Sequence, residues 1–146
     1  MKWGAIFFAL VALAAGAWYF MQPDDGDAPT NPESAAISSD DAIVAVNVPA
    51  TFSEQEQIGK RGFDAICAKC HGTNGQGREG SGPPFVHKIY EPNHHGDMAF
   101  VLAAKNGVRS HHWQFGNMPP IEGLTQADVL NIVAYVRALQ RENGIN

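Results

Sequence analysis

The chain has 146 residues, 45% hydrophobic and 17% charged, with a formal net charge of -5. That length suits one domain of ordinary size plus a short appended segment and argues against a multidomain enzyme; the acidic balance argues against a nucleic-acid binder. Cys67 and Cys70 are the two cysteines, so a framework of several disulfides cannot hold the fold, and the pair is read first as chemistry.

From Trp3 to Met21 the chain carries no charge for nineteen residues, with Lys2 before the run and Asp24, Asp25 and Asp27 after it. Such a run is long enough to cross a bilayer once as a helix. The lysine on its short side predicts a cytoplasmic N-terminus, hence a single-pass anchor (1-21) in the cytoplasmic membrane with the following domain on the periplasmic side. The competing reading is a cleaved signal peptide, because Ala15-Gly16-Ala17 resembles a cleavage site. Against cleavage, Trp18-Tyr19-Phe20-Met21 continue the apolar run, and Trp3, Trp18 and Tyr19 sit where interfacial aromatic residues belong.

Residues 22-51 contain six acids, no Lys or Arg, and several Pro, Ser and Ala, the composition of a solvated linker. Thirty such residues span on the order of 30 Å root-mean-square and at most roughly 100 Å. The remaining residues, 52-146, hold nine acidic and nine basic side chains, so the acidity belongs to the linker and the domain is close to neutral. Ile43, Val44, Val46 and Val48 form a short apolar patch that could pack on that domain.

Ser53 with Glu56 makes a capping box, and Ile58, Gly62, Ala65 and Ile66 follow helical spacing, which predicts a helix over 54-68. Asp97 to Lys105 reads as a shorter helix stopped at Asn106-Gly107. Thr125 with Asp128 opens a last helix whose Val129, Ile132, Val133, Val136 and Leu139 form one apolar face; Arg137 and Arg141 fall in its last turns, where cations suit the helix dipole. No strand pattern appears. The glycine-rich stretch 72-84 lacks the Gly-Lys-Ser/Thr ending of a phosphate loop and reads as a loop shaped to lie close against something.

Cys67-Ala68-Lys69-Cys70-His71 indicates what that is. C-x-x-C-H is the attachment signature of c-type haem: two thiols at i and i+3 form thioethers to two vinyl groups, and the adjacent imidazole reaches the iron. A redox dithiol would sit at a helix N-terminus after a strand, whereas this pair closes a helix in a chain without strands. A zinc site would need a fourth ligand and a second paired motif. A structural disulfide across so short a loop would add little.

From Ser53 to Leu139 the chain resembles a class I c-type cytochrome, an all-α fold in which N- and C-terminal helices cross and short helices and loops surround one haem. The resemblance implies that Gly59 and Phe63, eight and four positions before Cys67, pack against Tyr135 of the last helix. It implies that the carbonyl of Pro83, in Gly82-Pro83, accepts the proton on the proximal imidazole's Nδ1, a bond that fixes the ring. It also implies that Met118, in Asn117-Met118-Pro119-Pro120, is the distal ligand opposite His71. The rivals for that position are Met98, read as a core residue of the short helix, and His87, His94, His95, His111 and His112. A histidine-methionine pair raises the haem potential and suits a carrier near the oxidising end of a respiratory chain.

The histidines depart from the family pattern: five beyond His71 fall within 26 residues, including the pairs His94-His95 and His111-His112. Their bland reading is solvent exposure or hydrogen bonding to backbone or haem propionates; the sharper one is a second metal site, copper suiting imidazole. Trp113 could hydrogen-bond a propionate or fill the core. Lys60, Lys69, Lys88 and Lys105 are too few for a lysine-ringed docking face, which a tether would offset by raising the partner's effective concentration. The expected protein is a non-enzymatic, membrane-tethered monohaem electron carrier between a quinol-oxidising complex and a terminal oxidase or dehydrogenase. The alternatives are a dedicated electron-transfer subunit of one such complex, and a copper-handling or sensing haem protein.

Overall fold

The computed structural model describes residues 41-146; the expected anchor 1-21 and most of the expected linker 22-51 lie outside them. Helix α1 (Glu54-Gly62) runs through a π turn (Phe63-Cys67) into the short α2 (Ala68-His71). Further along the chain come α3 (Asp97-Asn106) and α4 (Gln126-Glu142), with 3-10 turns at Thr73-Gly75 and Lys88-Tyr90. Among the described residues the β pairing is two isolated bridges, Arg78 with Gly82 and Val108 with Met118, so this part is all-α. No helix among them is long and apolar enough to cross a membrane.

Both long helices begin where reciprocal caps satisfy their first amides. Ser53 Oγ accepts from the Glu56 amide while Glu56 Oε2 accepts from the Ser53 amide at 2.8 Å. Thr125 Oγ1 accepts from the Asp128 amide at 3.2 Å, and Asp128 Oδ2 accepts from the Thr125 amide at 2.9 Å. The first helical run reaches His71 rather than residue 68: it passes through the π turn and continues until Gly72 leaves it at φ 73°.

The two ends of the domain meet where α1 crosses α4. A Cβ on Gly59 would stand 1.8 Å from the carbonyl oxygen of Asn131, so the helices touch backbone to backbone at that point. One turn later the fully buried ring of Phe63 packs 5.5 Å from the fully buried ring of Tyr135, and Phe52 covers Tyr135 at 5.3 Å. This crossing sets the buried stripe of α1 along Gly59 and Phe63. Ile58, expected on that face, lies just off it and is 41% exposed.

Val44 and Val46 pack against the same core, and the Val44 amide donates to the Gln76 carbonyl at 3.1 Å, whereas Val48 stays exposed. A second cluster, Val101 and Ala104 with Val129 and Val133, joins α3 to α4. Met98, read from sequence as a core residue of α3, is instead 50% exposed.

Arg137 also differs from its expected role at the helix C-terminus. It is buried and donates to the carbonyls of Tyr90 and His95, to Asp97 Oδ1 at 2.9 Å and to Gln140 Oε1 at 2.6 Å. Gln140 is fully buried too and donates to the carbonyls of Phe85 and Tyr90. A buried guanidinium is stable only when its donors are used; here they tie the loop before α3 to α4.

Gly59→Ala is expected to force α1 and α4 apart and to cost roughly 2-3 kcal/mol, the overpacking outweighing about 1 kcal/mol of helix propensity. A lower urea midpoint at unchanged slope is the readout. The capping bonds also predict a pH dependence. The backbone bond from Ser53, foremost, lowers the Glu56 carboxyl from 4.5, and the Thr125 hydroxyl and amide lower that of Asp128 from 3.8. The stabilisation is complete above about pH 4.5 and is lost as pH falls through the lowered values. The urea midpoint should drop there, and drop less steeply in the Glu56→Gln, Asp128→Asn double variant.

Candidate cofactor site

Cys67 closes the π turn and Cys70 and His71 close α2, so one helical segment presents all three. The two sulfurs are not joined. Burial, and then the neighbouring Cys70, pushes the Cys67 thiol up to about 11, which keeps it protonated and poorly nucleophilic. That is unsuited to a redox dithiol.

His71 is buried, and its Nδ1 lies 2.9 Å from the Pro83 carbonyl oxygen. A carbonyl can only accept, so Nδ1 carries the proton and Nε2 keeps its lone pair for a ligand. Burial holds the imidazole pKa below its ordinary value, and the bond to Pro83 works in the opposite sense. Pro83 comes this close because its neighbour is glycine: a Cβ on Gly82 would stand 2.6 Å from the Cys70 carbonyl oxygen. The ring of Phe85 stacks on His71 at 4.1 Å and 20°, a packing partner that nothing in the sequence pattern singled out.

Met118 is held by a pair of backbone bonds to Val108, 2.9 Å from the Val108 amide and 3.0 Å from the Met118 amide. The approach depends on Gly107, at φ 73°, where a Cβ would stand 2.6 Å from the Met118 carbonyl oxygen. Asn117 Oδ1 further braces the loop by accepting from the Ser110 amide at 2.9 Å. Sequence reading took Gly107 only as a helix stop; its second duty is set by a residue eleven positions away.

These groups face one cavity of about 520 Å³, lined by Cys67, Cys70, His71, Pro83, Phe85 and Met118 together with apolar side chains of α3 and α4. The volume lies within the roughly 300-1,000 Å³ of sites that enclose a small molecule or cofactor. Trp113 also lines it, and its Nε1-H is buried with no acceptor among the described residues. Burial pushes the Tyr90 phenol up to about 12, and the indole, close enough to act in the opposite sense, does not reach hydrogen-bond geometry with it. An orphaned indole donor beside an apolar cavity is what an acidic group on a bound ligand would satisfy.

The other histidines divide. His87 accepts the Ile89 amide at 3.2 Å and packs edge-on to Trp113. His95, His111 and His112 line the cavity, yet they also gather with His94 in a cluster of their own.

The family model described as Cytochrome c matches residues 56-140, more than half of the chain. The chain belongs to the cytochrome c family. No curated protein and no solved structure matches it in the comparisons made. Membership of the cytochrome c family implies covalently bound haem c and haem-based electron transfer, and Cys67, Cys70 and His71 have the spacing of the attachment motif. The residues present fit that group: an apolar cavity, two thiols at its wall, an imidazole with a bare nitrogen and an unused indole donor.

Gly107→Ala is expected to break the Val108-Met118 pair, since a left-handed φ and a close backbone contact both oppose a side chain there. Hydrogen exchange at the Val108 and Met118 amides should accelerate by about tenfold or more, with α1 and α4 unchanged.

Proposed function

We propose that the chain is a membrane-tethered monohaem cytochrome c that passes single electrons between respiratory membrane complexes. Cys67 and Cys70 would carry the haem through thioethers, and His71 and Met118 would ligate the iron. The observation that carries this reading is that His71, oriented by Pro83, and Met118, pinned to Val108, share one cavity with both cysteines.

Bound haem supplies a one-electron couple, and the protein sets its potential and access. The Pro83 carbonyl orients His71 and strengthens it as a donor. Met118 would contribute a thioether that favours reduced iron, and the apolar lining would disfavour extra charge; both would raise the potential. Trp113 Nε1-H would hold a propionate. His71 and Met118 would both be spent on holding the iron, which suits a carrier.

Residues 1-21 would anchor the domain on the periplasmic side of the cytoplasmic membrane, with residues 22-51 as the acidic tether. A nearly neutral domain has little long-range steering of its own, and the tether replaces it with high effective concentration. Donor and acceptor are accordingly membrane complexes: a quinol-oxidising complex on one side, and a terminal oxidase or dehydrogenase on the other.

Met118→Ala is expected to abolish the weak red absorption band of methionine-ligated ferric haem and to lower the midpoint potential by on the order of 100 mV. An unchanged band would remove Met118 from the iron. Deleting residues 1-21 while retaining a secretion signal should move the holoprotein from the membrane to the soluble periplasmic fraction.

A further inference from the structure

The loop before α3 and the loop after it bring together side chains sixteen to eighteen positions apart. His94 Nε2 and His112 Nε2 lie 3.4 Å from one another, and each of His94, His95 and His112 offers a ring nitrogen within 4.8 Å of the others. Two nitrogens bound at 2.0-2.1 Å to one ion stand about 3.3 Å apart in a tetrahedral site and about 2.9 Å apart in a tetragonal one, so the His94-His112 separation is within a small ring movement of that of two ligands of one cation.

His95 is prepared for the same task. Its Nδ1 lies 2.6 Å from the Ile89 carbonyl oxygen, which places the proton on Nδ1 and leaves Nε2 as the ligating atom, the usual arrangement behind a metal-bound imidazole. Its own carbonyl accepts from buried Arg137, so its backbone is fixed to α4. The second loop is braced as well: Ser110 Oγ donates to the Trp113 carbonyl, and the Ser110 amide donates to Asn117 Oδ1. His94 and His112 are solvent-exposed, which gives an ion a path to the site. His111 stands beside the trio, with its Nδ1 2.9 Å from the Arg109 carbonyl oxygen.

We propose that His94, His95 and His112 form a binding site for a divalent late transition-metal ion, copper(II) most tightly, at the rim of the cofactor cavity. Three neutral imidazoles with no carboxylate or thiolate among them suit copper and zinc over magnesium or calcium, and copper(II) heads the affinity order for such donors. The site is independent of the haem reading, because its ligands are not the residues assigned to haem.

The test is a Cu²⁺ titration of the full-length holoprotein against a competing chelator of known affinity, read by electron paramagnetic resonance of the bound copper. One Cu²⁺ per chain is expected, bound more tightly than Zn²⁺. His94→Ala and His112→Ala should each weaken it at least tenfold and His111→Ala less than threefold, with the haem spectrum unchanged throughout as evidence of an intact domain. If both His94→Ala and His112→Ala weaken Cu²⁺ binding by less than tenfold, or if the wild type binds no tighter than a peptide containing one histidine pair, the site does not exist.

Discussion

The backbone contact between Gly59 and Asn131 is the constraint from which the rest of the domain is built. Two helices from opposite ends of the domain approach closely enough for their main chains to touch, and only a residue without a Cβ allows it. Phe63 and Tyr135 then lock the angle, and the Tyr135 hydroxyl reaches on to Asn74 Oδ1 at 2.8 Å. That last bond matters beyond packing, because Asn74 lies in the turn after His71 with φ 55°. The same tyrosine therefore ties the helix crossing to the segment that leaves His71.

A second, polar brace completes the arrangement. Arg137 and Gln140 sit on the buried side of α4 and spend their hydrogen bonds on main-chain carbonyls from Phe85 to His95. The carbonyls of Phe85, Tyr90 and His95 have no backbone amide partner among the described residues, so α4 supplies the donors that pair them. The arrangement also positions Phe85, whose ring stacks on His71. The domain thus uses an apolar contact to set its helices and a polar one to set its loops.

How much of this was legible follows from the range of each interaction. Both capping boxes, the three helices of eight or more residues and the C-x-x-C-H segment are written in contiguous residues, and their positions were readable. The face of α1 was not legible in its periodicity, because Ile58 and Gly59 are adjacent and only the approach of Asn131 decides which is buried; the family resemblance, which put Gly59 and Phe63 against Tyr135, had it right. Arg137 misled for a related reason: it occupies a buried position of α4, four residues after Val133, but its residue type and place near the helix end suggested a solvated cation. Its partners lie 40-47 positions away in sequence. The convergence of His94, His95 and His112 is likewise a product of two loops, the first fixed by that arginine and the second by the Ser110-Asn117 bond.

The histidines bear on the distal position in a way their number alone would not suggest. His95, His111 and His112 line the cavity together with Met118, and imidazole binds iron well, so proximity does not select the methionine. Their grouping bears on that choice: His95, His111 and His112 pack against one another and against His94, so turning one of them toward an iron would break up the cluster, even though the Nδ1 bonds of His95 and His111 leave Nε2 as free as that of His71 does. Met118 has its backbone fixed on both sides of the Val108 pair and a thioether with no hydrogen-bonding demand to satisfy. A cation held by His94, His95 and His112 would strengthen this separation, since it would occupy the lone pairs that could otherwise compete. On that proposal the two sites would reinforce one another: the cluster would leave the iron to Met118, and the loop that carries Met118 steadies, through Asn117 and Ser110, the loop that carries His112.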